Sequence, residues 1–119
     1  MLNKPHKNLD VWQKSIALVQ TIYDLTKHFP NHENFALTNQ MRRAAISVPS
    51  NIAEGAARQT KKEFIQFLHV AQGSLSELDT HLEIAMSLGY TKELSGEGLL
   101  ALMNDIDKML TGLIKSLKK

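Results

Sequence analysis

A chain of 119 residues, 43% apolar and 22% charged, has the size of one domain and buries about two thirds of its unfolded surface. The absence of cysteine excludes disulfides, thiolate metal sites and cysteine nucleophiles, and a net charge of +2 is too small to imply a polyanionic partner by itself. No apolar run approaches the roughly 20 residues that cross a bilayer, and the opening MLNKPHKNLD carries no hydrophobic signal segment, so the expectation is a soluble, cytoplasmic protein.

The first periodic segment runs from about Asp10 to His28, where Phe29-Pro30 stops it, because the residue before a proline disfavours the helical region. It carries two apolar stripes: Trp12, Ile16, Val19 and Tyr23, and beside them Val11, Leu18, Ile22 and Leu25. A helix with two such stripes has more to bury than one neighbour covers. The second segment spans about 37–57, with Leu37, Met41, Ala45, Val48 and Ile52 in phase.

Thr60 opens the third segment, and Glu63 three residues on completes a capping box. From Phe64 through Leu68, Ala71, Leu75, Leu78, Leu82 and Ala85 the spacing alternates between four and three, the seam of bundle packing at about +20°. Gly89 stands where a C-terminal glycine belongs, which sets the helix at about 61–88. The fourth, about 97–117, repeats the spacing in Leu99, Met103, Ile106, Leu110, Leu113 and Leu117. No alternating strand pattern competes. The expected fold is an all-α, up-down-up-down antiparallel four-helix bundle, a single domain over residues 1–119.

Within the second helix, AAISVPSNIAEG places Pro49 among Ser47, Ser50 and Asn51, ahead of Glu54-Gly55. Either Pro49 kinks a continuous helix, or the helix breaks and Asn51 restarts it as a cap with Glu54 at the box position. The in-phase stripe through the proline favours the kink. An interior proline costs about 3 kcal/mol unless offset. Turning the second and third helices around Arg58 to Thr60 sets Ala45 opposite Gly73 and Pro49 opposite His69. Small residues there would allow close backbone approach, with Ser47, Ser50 or Asn51 satisfying the carbonyl of Ala45 that the proline frees. The same pairing brings Arg42 and Arg43 beside Ser76, Glu77 and Asp79. Trp12 falls opposite Ala53, a large ring over small side chains.

The stretches LDVWQKSIALVQTIYDLTKHFP, LTNQMRRAAISVPSNIAEG and KKEFIQFLHVAQGSLSELDTHLEIAMSLGY resemble the bacterial four-helix-bundle proteins of the 23S rRNA intervening-sequence protein family, over about residues 8–115. The resemblance implies a homo-oligomer, a ring of five, with no enzymatic activity established for the family. Through a relative, the accessory variability protein of diversity-generating retroelements, it also implies association with RNA or DNA.

Residue chemistry sets the rest of the expectations. There is no Glu-x-x-His, no Gly-x-Ser-x-Gly, no phosphate loop and no His-Glu-x-x-His, so no catalytic residue, metal, cofactor or small-molecule substrate is expected. Glu77 and His81, four apart, read as an ordinary helix-face pair, and His69 as a core-edge or interface residue. Charge is segregated. From Arg42 to Lys62 there are five basic residues against Glu54, and from Glu77 to Asp107 seven acids against Lys92. Arg58, Lys61 and Lys62 gather at the turn before the third helix, where backbone amides also favour anions; with Arg42 and Arg43 they are the candidate nucleic-acid contacts. Two functions follow: a non-enzymatic, self-assembling bundle with a structural or interaction role, or a nucleic-acid-binding accessory protein.

Overall fold

The periodic segments become helices close to where their spacing puts them. The computed structural model describes residues 1–92 and 97–119. Among these there are α1 (Asp10–Thr26), α2 (Leu37–Ala56), α3 (Lys61–Ser87) and α4 (Glu97–Leu117), short 3-10 turns at Pro5–Asn8 and Asn31–Glu33, and no strand. α1 packs against α2 and α4, and α3 packs against the same two, the α2–α3 contact being the most extensive. The helices therefore stand in chain order around a square, each antiparallel to the next, as a four-helix bundle requires.

α1 ends two residues before the expected limit. Phe29 is 4% exposed and its amide donates to the Thr26 carbonyl at 3.1 Å, so burial of the ring turns the chain inward before Pro30 is reached. α3 has the expected ends. The Thr60 hydroxyl accepts from the Glu63 amide at 3.1 Å. It also donates to the Glu63 carboxylate at 2.9 Å, in place of the reciprocal bond to the Thr60 amide. At the other end Gly89 has φ +79°, while the Tyr90 amide reaches the Ala85 carbonyl and the Gly89 amide that of Met86, both at 3.0 Å, a Schellman cap.

α2 runs unbroken through Pro49. Asn51 is therefore not a cap; its Nδ2 donates to the Ser47 carbonyl at 2.8 Å and to the Ser47 hydroxyl at 2.9 Å. The side-chain bond goes to Ser47, not to the Ala45 carbonyl that the proline frees. The core is the inner stripe of each helix: Leu18 and Ile22, Met41, Val48 and Ile52, Leu68, Leu78 and Leu82, Ile106 and Leu110, all at most 2% exposed. Of the two α1 stripes, Val11, Leu18 and Ile22 are buried, whereas Ile16 and Tyr23 remain 36% and 37% exposed.

Candidate functional site

The α2–α3 pairing decides which side chains meet on the surface, and one glycine sets it. A Cβ on Gly55 would lie 2.7 Å from Phe67 Cβ and 3.0 and 3.2 Å from Phe64 Cδ1 and its carbonyl oxygen. Gly55 is the close-approach position. At Gly73 a Cβ meets nothing within 4 Å, so the expected role of Gly73 in close packing is not found. Seating Phe67 on Gly55 moves the register about three residues along α3 from the sequence expectation. Ser47 then bonds Ser74 at 2.8 Å rather than facing Ala71, and His69 lies exposed on the outer surface.

The shift also redirects the arginines. Arg42 turns to α1, not α3: its Nε donates to the Thr26 hydroxyl at 2.9 Å and its guanidinium lies 4.3 Å from the centre of the Tyr23 ring. Arg43 stays exposed, sharing a groove with Gln40, Ala44, Ser47 and Glu77 but making no ion pair among the described residues. Arg58 is engaged as well. It pairs with Glu54 at 3.2 Å and stacks over Phe67 at 4.9 Å. Of the three basic residues expected at the turn, Lys61 and Lys62 are exposed without an ion pair among the described residues. The cluster is thus smaller in effective charge than its sequence suggests.

The α1–α2 face holds an apolar surface groove. Trp12, Ile16, Val19, Ile46, Pro49 and Ala53 line a groove of about 350 Å³, with Gln20 and Ser50 at its edge. Trp12 does share this groove with Ala53, as the sequence pairing expected, and it also packs on the core. Pro49 is buried at the groove floor. Ile46 is 41% exposed and out of phase with the Met41–Ala45–Val48–Ile52 stripe, which is why the core pattern passes over it. The signal that could have found it is an isoleucine on the polar side of an amphipathic helix.

A second cluster, missed in the sequence, ties the α1–α2 connection to the end of α3. The Tyr90 hydroxyl donates to Glu33 Oε2 at 2.7 Å, the Leu37 amide donates to Oε1 at 3.3 Å, and His32 Nε2 lies 3.3 Å from the Tyr90 hydroxyl. The Tyr90 bond, then the Leu37 amide, hold the Glu33 carboxyl below its ordinary value; the same bond raises the Tyr90 phenol. A carboxyl whose folded value is depressed stabilises the fold above its unfolded value and loses that contribution as pH falls through the folded one. Glu33→Gln should therefore lower the urea midpoint at pH 7, with the gap to wild type narrowing on acidification. A gap unchanged between neutral and acid pH would count against the clamp.

His81 is 9% exposed, its Nε2 is 3.9 Å from Glu77, and its Nδ1 has no hydrogen-bond partner among the described residues; the Thr38 hydroxyl, also buried, has none either. Among the described residues no three His, Cys, Asp or Glu side chains converge, and no helix is long and apolar enough to cross a membrane.

Comparison with known proteins gives the context. The model of the 23S rRNA-intervening sequence protein family matches residues 7–112. A crystal structure of a protein of unknown function, from the S23 ribosomal protein family of Bacteroides thetaiotaomicron VPI-5482, superposes with a TM-score of 0.80 at 27% identity. The match covers 88% of this chain and 95% of that one. No match was found among curated proteins.

Proposed function

The chain belongs to the 23S rRNA-intervening sequence protein family, and from that premise we propose that it works by assembling with copies of itself into a structural or interaction platform. The observation that carries this reading is the apolar α1–α2 groove, flanked by exposed Ile16, Tyr23 and Ile46. Apolar side chains gathered on one face of a small bundle mark an association surface more often than scattered ones do. The resemblance of the sequence to ring-forming relatives supports five subunits.

Light scattering at micromolar concentration is expected to give about five times 13.4 kDa. Ile46→Lys should bring the mass down toward that of one chain while the helical circular dichroism is kept, because the substituted side chain lies outside the core. A wild-type protein that stays monomeric overturns the proposal.

Phosphate-backbone contact is the second reading, and exposed Lys61 and Lys62 at the N-terminal end of α3 support it. It requires that generic RNA or DNA be shifted on a gel at about 50 mM salt and released as salt rises. Lys61→Gln with Lys62→Gln must abolish that shift.

A further inference from the structure

We propose that Phe35 of one chain inserts into the apolar α1–α2 groove of a second copy. The inference rests on the self-assembly reading and names the side chain that fills the groove. Phe35 stands in the turn between Asn31–Glu33 and α2 and is 97% exposed, a whole aromatic ring in solvent. A scattered apolar side chain on a surface means little by itself. Here the backbone that carries the ring is tied down on both sides. The Asn34 amide donates to the Asn31 carbonyl at 3.1 Å, the Ala36 amide to the Glu33 carbonyl at 3.0 Å, and the Gln40 amide to the Ala36 carbonyl at 2.9 Å. The Glu33 carboxylate, held by Tyr90, accepts from the Leu37 amide. The turn therefore presents the ring already ordered, which lowers the entropic cost of docking it.

Groove and ring match in chemistry. The groove is lined by uncharged side chains, and the half-buried Trp12 among them offers an aromatic edge or face to a phenylalanine. The α3–α4 groove carries Asp79 and Asp107, the α2–α3 groove Arg43 and Glu77, and the α1–α4 groove Asp10. A ring seated in any of those would strip water from a charge. Phe35 cannot fill the groove of its own chain. It precedes α2, and Ile46 follows Leu37 by nine residues, about 14 Å along the axis. Arg42, stacked on Tyr23, stands between them. The occupant therefore comes from another copy. Met1 and Leu2 are also strongly exposed, but they lie on a segment without secondary structure, so docking either of them orders more chain. A contact between unlike patches is heterologous: it repeats from copy to copy and closes into a ring where the turn between successive copies allows.

Complementation between two variants tests the insertion. Phe35→Ala should weaken association by about thirtyfold, the effect of losing an aromatic anchor. Its helical circular dichroism should be unchanged, because the ring is exposed in its own chain. Trp12, the single tryptophan, reports on the groove directly. Its emission should move to shorter wavelength as the wild type associates across a dilution series, and Phe35→Ala should remove that movement. Phe35→Ala keeps the groove and Ile46→Lys keeps the ring; mixed, they should form a two-chain species by light scattering that neither forms alone. A wild-type oligomer whose mass is indifferent to Phe35→Ala overturns the insertion and leaves self-assembly standing. Dissociation by Phe35→Ala without complementation in the mixture also overturns it, in favour of a contact between like patches. A monomeric wild type removes both readings.

Discussion

Gly55→Val should lower the stability of the bundle by about 3 kcal/mol, the upper end of the usual cost of overpacking. The atoms in the way are Phe67 Cβ at 2.7 Å and the Phe64 carbonyl oxygen at 3.2 Å. Neither can rotate aside, so α3 itself must move away from α2. Gly55→Ala is milder, because the better helical preference of alanine returns about 1 kcal/mol. Gly73→Ala supplies the contrast: its Cβ meets open space, and the same preference should raise stability by up to about 1 kcal/mol. Urea midpoints at constant slope measure all three. A Gly55→Val protein within about 0.5 kcal/mol of wild type would mean that α2 and α3 do not approach closely there.

Thr38→Val is expected to act in the opposite direction, raising stability by about 1–2 kcal/mol. Thr38 is 2% exposed and its hydroxyl has no hydrogen-bond partner among the described residues. A buried polar group left unpaired costs about 1–3 kcal/mol, and an apolar group of the same shape removes that cost. Valine matches threonine in shape and nearly in helical preference. At about 4 °C per kcal/mol for a domain of this size, the melting temperature should rise by several degrees. A fall would show that the hydroxyl is bonded in solution.

How far the sequence was legible depended on how local the cause was. The ends of α3 were readable because Thr60 with Glu63 and the glycine at position 89 act within a single turn. Continuity of α2 through Pro49 was readable because the apolar phase on either side agrees. The α2–α3 register was not. Gly55 and Gly73 look equivalent in a helical sequence, and only the seating of Phe64 and Phe67 shows which one faces a neighbour. Arg42 was misassigned for a related reason. Its position is seven residues before Pro49 and eleven before Ala53, on the α2 side that meets α1, so its partners are Thr26 and Tyr23 rather than acids of α3. The Glu33–Tyr90 contact joins residues 57 apart, beyond any periodic pattern.

Among the described residues α3 is the longest helix, and it runs nearly the full length of the molecule. Its 27 residues extend about 40 Å, against a long axis of 44 Å. The end beside Lys61 and Lys62 and the end clamped through Tyr90 to Glu33 are therefore two ends of one stiff rod. A tilt of about 5° about its middle carries each end about 2 Å in opposite directions. Whatever loads one end of the bundle is, to that extent, geometrically present at the other.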